Sequence, residues 1–268
     1  LPTIDPFLFC VHHNDKYPEA NPDFTPNASL LGRNLGNDFS NNDGWSMYHG
    51  TKVPGFPKHP HRGFETITYM LNGKFHHKDN AGNEGFLEDG SVQWMTAGKG
   101  VVHSEMPKQT DGLVRGFQLW LNLPKEKKMI EPAYHDISAD QIPCIKTKIS
   151  SVKIISGDYQ NTKGPGRPHT GFLYFDVNIN PGKSFSYDIP ENWNAFIYVY
   201  EGSLSVNSDL SKGFLGVLSA NGKLEVNCSN EGASFILVAG EPLNEPVARG
   251  GPFAVSYTHL TLPTSYAV

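Results

Sequence analysis

His59-Pro60-His61 sets two imidazoles at i and i+2, and His103-Ser104-Glu105 repeats that spacing with an imidazole and a carboxylate. On an extended chain, side chains two apart project from the same side. If the two segments are neighbouring strands of one barrel, His59, His61, His103 and Glu105 converge as three neutral nitrogen donors and one oxygen donor. Such an array binds a single divalent metal. With no thiolate and donors of intermediate softness, Fe, Mn, Co, Ni, Cu and Zn fit better than Mg or Ca. Four protein ligands in an octahedral site leave two positions open for a bidentate substrate or dioxygen, whereas a closed tetrahedral zinc site leaves none. An isolated His-x-His is usually a surface accident. The second pair, in a glycine-rich context, raises the four residues to a metal-site expectation.

The elements that must position these groups read as strands. The 268 residues include 27 glycines and 20 prolines, and no long run of Ala, Leu, Glu or Lys, which suits many short strands better than long helices. Period-two alternation runs through residues 66–71, through 114–121 (Phe117, Leu119 and Leu121 against Gly116, Gln118 and Trp120) and through 173–179. Asn72-Gly73, Asp89-Gly90, Pro181-Gly182 and Asn221-Gly222 read as turns, and a short helix is expected near residues 138–141. An internal echo adds to this. Tyr69-Met70-Leu71-Asn72-Gly73 recurs in form as Tyr198-Val199-Tyr200-Glu201-Gly202, and each is followed by an apolar strand ending in Ala-Gly, at Ala97-Gly98 and Ala239-Gly240. The echo points to a duplicated barrel. The expected division is residues 1–130 as a metal-binding barrel, 131–160 as a linker, 161–254 as a second barrel, and 255–268 as a non-native tail excluded from the fold argument, so that His259 receives no role.

A net charge of −5 without a basic block disfavours direct nucleic-acid binding. No stretch approaches the ~20 apolar residues of a membrane helix, and neither a charged leader nor a signal core opens the chain. The expectation is a cytoplasmic protein, or a nuclear one if eukaryotic; the sequence opens on Leu1 rather than Met. Cys10, Cys144 and Cys228 are odd in number and far apart, which suggests reduced thiols rather than a disulfide framework or a zinc-thiolate site.

Phe56-Pro57-Lys58-His59-Pro60-His61-Arg62-Gly63-Phe64-Glu65-Thr66, the run from Val92 to Gly100, and His103-Ser104-Glu105-Met106-Pro107 resemble the motifs of the pirin family within the cupin superfamily. The similarity continues through Phe117-Gln118-Leu119-Trp120 and Ala239-Gly240-Glu241-Pro242, and spans roughly Asp5 to Phe253. The resemblance implies an all-β fold of two tandem cupin barrels of the double-stranded β-helix or jelly-roll type. It also implies Fe(II) in the N-terminal barrel at the positions of His59, His61, His103 and Glu105, with Mn, Co, Ni, Cu or Zn as alternatives. Cupins ordinarily take their carboxylate from the position of Glu65, but pirin-like proteins use the one after the third histidine, so Glu65 is expected to play a supporting part. In the second barrel the equivalent register falls on Asp188, Pro190, Glu245 and Val247, and no metal is expected there. His76 and His77 follow the Gly73 turn and are expected on a solvated hairpin, with an approach to the metal mouth as the alternative; His169 is expected in a loop, and His12, His13, His49 and His135 without partners at ligand spacing.

Two functions follow from the resemblance. One is a metal-dependent dioxygenase of the quercetin 2,3-dioxygenase type, acting on a small aromatic substrate and dioxygen. In it Glu105 is the catalytic base, and Gln118 helps to orient substrate or water. The other is an iron-dependent, redox-sensing regulatory protein without turnover, which would need a protein partner.

Overall fold

The computed structural model describes residues 3–108, 112–219 and 222–255. Asn221 and the expected tail, apart from Val255, lie outside them. The chain forms two compact units. Among the described residues, one comprises Phe9–Ala139 with residues 245–255, and the other comprises residues 3–8 with Asp140–Asn244.

In the first unit the strands are β1 (Phe7–Tyr17, which begins just before the division), β2 (Phe56–His61), β3 (Phe64–Asn72), β4 (Phe75–Asp79), β5 (Glu84–Leu87), β6 (Val92–Thr96), β7 (Val101–Pro107), β8 (Gly112–Asn122) and β9 (Ala133–Ile137). They build a five-stranded sheet ordered β1-β8-β3-β6-β9 and a four-stranded sheet ordered β2-β7-β4-β5. The pairs β2–β7, β7–β4 and β4–β5 in the smaller sheet, and β8–β3, β3–β6 and β6–β9 in the larger, are antiparallel. β3 lies between β8 and β6, and Phe64 to Met70 are all buried, as a strand covered on both faces must be. β7 instead alternates, with Val101, His103, Glu105 and Pro107 buried and the residues between them half-buried. That is the period-two signature of a strand with one face to the interior.

The β2–β3 connection is pinned tightly. Gly63 takes φ 84°, and a Cβ there would stand 1.9 Å from the Ala254 carbonyl oxygen. Lys128 is buried beside it, and its Nζ donates to the carbonyls of Gly63 (2.9 Å) and Ala254 (3.2 Å) and to Oδ1 of Asn122 (2.6 Å). Burial pulls this ammonium down to about 8, although the three oxygens satisfy its donors.

The second unit contains β10 (Cys144–Lys146), β11 (Ser150–Ser156), β12 (Asp158–Tyr159), β13 (Thr162–Lys163), β14 (Phe172–Ile179), β15 (Ser184–Asp188), β16 (Asn194–Val206), β17 (Ser208–Ser211), β18 (Leu215–Leu218) and β19 (Lys223–Gly240); β20 (Ala248–Gly250) and β21 (Phe253–Val255) return to the first unit. Leu173, Phe175, Val177 and Ile179 project from β14 into an apolar core shared with Val199, Phe235 and Leu237. The echo seen in sequence is structural: β3 pairs antiparallel with β6, and β16 pairs antiparallel with β19, each pair carrying one copy of the repeat. Gly73 and Gly202 both have positive φ, at 89° and 66°. Helices among the described residues are 3-10 turns, one of which, Ala139–Gln141, falls where the short helix was expected. No helix is long and apolar enough to cross a membrane.

Candidate metal centre

β2 and β7 are antiparallel neighbours in which His59 stands opposite His103. This is the adjacency that the two i, i+2 motifs require. Candidate ligand atoms of His59, His61 and His103 all lie within 4.8 Å of one another. The ring centroids are 4.8 Å (His59–His61), 4.5 Å (His59–His103) and 4.9 Å (His61–His103) apart.

Each ring is prepared to give a lone pair. The Nδ1–H of His59 donates to the Pro57 carbonyl at 2.8 Å, which leaves Nε2 unprotonated in the neutral ring. His61 and His103 are 2% and 1% exposed. Both ring nitrogens of His61 and Nε2 of His103 are buried with no hydrogen-bond partner. The Pro252 carbonyl approaches His61 but does not meet hydrogen-bond geometry. Burial first, and then the neighbouring imidazoles, depress His61 to about 3 and His103 to about 2, so both rings are neutral near pH 7. Buried, unpaired, neutral nitrogens are costly unless something accepts their lone pairs. A divalent cation does so, and the donor set fits one.

Glu105 lies on the same buried face of β7 as His103 but is not among the clustered donors. Its carboxylate is held from the opposing sheet. Gln118 Nε2 donates to Oε2 at 2.9 Å and to Oε1 at 3.1 Å, and Thr68 Oγ1 donates to Oε1 at 3.4 Å. Trp120 Nε1 donates to Gln118 Oε1 at 3.1 Å, which turns the amide NH2 toward Glu105. Trp120 also packs on Phe64 and meets His61 edge-on. Of the β8 alternation, the half carrying Gln118 and Trp120 faces Glu105, while Phe117, Leu119 and Leu121 are buried.

Glu65 occupies the supporting place expected of it. It stands opposite Thr96 on β6, and its Oε1 accepts from Trp94 Nε1 (3.0 Å) and Thr96 Oγ1 (2.8 Å). Being odd in position where Thr68 is even, it leaves the opposite face of β3.

The paired histidines of β4 differ from the expectation of a solvated hairpin. Alternation along β4 buries Phe75, His77 and Asp79 and turns His76 outward. His76 is half-exposed and meets Glu84 Oε1 at 2.7 Å. His77 is 2% exposed, and its Nδ1 lies 3.4 Å from His103 Nδ1. A proton shared across that contact fixes the ring of His103. His13, expected to have no partner at ligand spacing and absent from the donor cluster, is buried and borders with Glu105 a cavity of about 10 Å3, whose wall includes Phe56, Thr68, Phe75 and Gln118. His169 lies between β13 and β14, in a loop as expected.

A metal-capable histidine cluster in one of two antiparallel β units defines a bicupin. The chain matches the family model described as pirin over residues 32–121 and that described as the pirin C-terminal cupin domain over residues 174–259. It is 44% identical over 234 residues to a pirin-like protein of Caulobacter vibrioides, covering 86% of this chain and 83% of that one. It is 42% identical over 214 residues to a Pseudomonas aeruginosa protein named as a candidate quercetin 2,3-dioxygenase, covering 76% and 75%. The crystal structure of a quercetin 2,3-dioxygenase from Acinetobacter baumannii superposes with a TM-score of 0.74 at 30% identity, covering 95% of this chain and 93% of that one. A bacterial pirin of Escherichia coli, solved with nickel(II), shares the fold at a TM-score of 0.58 and 21% identity, covering 70% and 77%. The chain belongs to the pirin family.

Proposed function

We propose that this protein is a metal-dependent dioxygenase acting on flavonol-type aromatic substrates, with the metal held by His59, His61, His103 and Glu105 and with Fe(II) as the first candidate. One observation carries the reading: candidate ligand atoms of His59, His61 and His103 lie within 4.8 Å of one another, those of His61 and His103 include buried nitrogens with no partner, and Glu105 leaves the same face of β7 as His103 with its own hydrogen-bonded support. When bound, the metal supplies Lewis acidity that lowers the pKa of a ligated hydroxyl, and redox access to dioxygen. Glu105 accepts the flavonol proton, and Gln118 and Thr68 keep its carboxylate aimed while it does so. His59 is the least buried of the three histidines, so substrate approaches over its side. Phe64 and Trp120 both meet the His61 ring edge-on and shield it from water. The names of the Pseudomonas and Acinetobacter proteins support the substrate class.

The test combines metal analysis of the purified protein with oxygen uptake and carbon monoxide release on quercetin, using His59→Ala as control. Turnover that requires the metal and is lost in the variant is expected. Full metal occupancy in His59→Ala overturns the ligand assignment.

A second reading, an iron-dependent redox-sensing regulator without turnover, is favoured by the size of the cavity beside Glu105. Its 10 Å3 admit about one water rather than a flavonol. A tight metal site with no turnover on several flavonols is the outcome this reading expects.

A further inference from the structure

Asp15, Tyr48 and His13 form a buried chain that no ligand role absorbs. Ser46 N–H donates to Asp15 Oδ1 at 2.9 Å and holds the carboxylate in place. Tyr48 Oη lies 2.6 Å from Asp15 Oδ2; burial raises this carboxyl to about 6, so at pH 7.5 it is ionised and can only accept, and the single phenolic proton is committed to it. His13 Nδ1 lies 2.8 Å from the same Oη and must therefore be the donor. A neutral imidazole has one ring proton; with it on Nδ1, Nε2 is a bare acceptor. Burial depresses His13 to about 4 against the pull of Glu105, so the ring is neutral near pH 7.

The chain is held at a backbone cost. Tyr48 sits at φ 55°, a left-handed conformation unusual for an aromatic residue, clamped by reciprocal backbone hydrogen bonds with Asp38 of 2.8 and 3.0 Å. His13 forms one wall of the cavity beside Glu105, with Thr68 and Gln118 as its other polar groups. The cavity is large enough for about one water, and it offers the two or more polar partners that a buried water needs.

We propose that the Asp15–Tyr48–His13 chain locks His13 as the Nδ1–H tautomer, so that its Nε2 accepts a hydrogen bond from an O–H group seated beside Glu105. That group is either a water or the enolic or phenolic hydroxyl of a substrate. The substrate arm rests on the dioxygenase reading, and the water arm does not. His13 is a positioning residue in the first case: it fixes the hydroxyl whose proton Glu105 removes.

The test begins with long-range proton–nitrogen NMR spectra of histidine-15N protein loaded with zinc at pH 7.5. The expected result is the Nδ1–H tautomer for His13 in the native chain and its loss in Tyr48→Phe. An Nε2–H tautomer in the native chain overturns the proposal without any variant. Crystals of the zinc-loaded protein are expected to show an ordered water within hydrogen-bond reach of His13, absent in His13→Leu. Kinetics on quercetin then read the substrate arm. A kcat loss of tenfold or more is expected in His13→Leu at unchanged metal content, with substantial recovery in His13→Gln, which restores an acceptor. Equal kcat in native and His13→Leu protein overturns that arm. If native protein does not turn quercetin over, the dioxygenase reading fails, while the tautomer and the ordered water still decide the inference.

Discussion

Gln118 Nε2 lies within 3.1 Å of both carboxylate oxygens of Glu105, so a single amide on β8 restrains a side chain that β7 delivers from the other sheet. A hydrogen bond to a charged group is worth about 1.5–3 kcal/mol, which corresponds to roughly ten- to hundredfold in an equilibrium or a rate. Gln118→Leu is therefore expected to lower turnover by about that factor while the three histidines keep their metal. Trp120→Phe, which frees the amide to rotate, is expected to show a weaker version of the same loss. Metal stoichiometry alongside kcat checks this. Native kcat in Gln118→Leu would show that Glu105 needs no such support.

Metal removal should cost the first unit stability. A ligand that binds only the folded state stabilises it by RT ln(1 + [L]/Kd), about 4 kcal/mol at a thousandfold excess over Kd. A chelator is expected to lower the Tm of native protein by several degrees and to leave His61→Ala and His103→Ala unmoved. Calorimetry with and without chelator is the measurement. An identical chelator shift in native protein and in both variants would rule out these two histidines as ligands.

The depressed histidines predict how the metal-free protein responds to acid. Buried rings lower the folded pKa of His13 to about 4, of His61 to about 3 and of His103 to about 2, against 6.5 for the free side chain. Below 6.5 the unfolded chain binds protons that these folded rings refuse, so their contribution to stability is full above that pH and declines as pH falls toward the folded values, while Asp15, raised to about 6, acts in the opposite sense and is common to native protein and variant. The slope reaches at most about 1.4 kcal/mol per pH unit for each ring. Urea unfolding of chelator-treated protein at pH 7.5 and pH 5 measures it. A His61→Leu variant, which removes one such ring, is expected to flatten the dependence, and equal slopes would contradict the assigned burial penalty.

What could be read in the sequence follows the period of two. His59, His61, His103 and Glu105 stood out because alternation places each pair on one face, and β2 and β7 proved to be neighbours. The same rule, applied to only one member, hid His77: alternation on β4 separates it from His76 and carries it inward. His13 could not be found locally. Its partner Tyr48 is 35 residues away, brought close by a loop whose course no periodicity records. Gln118 was read as a group that orients substrate or water, but its hold on Glu105, with Trp120 behind it, lay outside any local pattern. Both act because β8 lies next to β3, with Gln118 opposite Thr68 and Trp120 opposite Thr66.

The two glutamates test the same logic across a turn. On one continuous strand His61 and Glu65, four apart, would share a face and both could reach the metal. Gly63 ends that strand and passes the chain to the other sheet, where parity restarts and Glu65 leaves on the side of Trp94 and Thr96. Glu65→Ala removes the acceptor for two buried donors and empties a fully buried site, at an expected cost of about 2–4 kcal/mol. At a temperature where the variant remains folded, metal content should equal that of native protein. Glu105→Ala, which also strips Gln118 and Thr68 of their acceptor, should differ in the other property: weakened metal binding and lost turnover at a temperature where the variant remains folded. Metal titration and thermal melts of both variants separate the two roles. Loss of metal in folded Glu65→Ala would return the carboxylate ligand to the first motif.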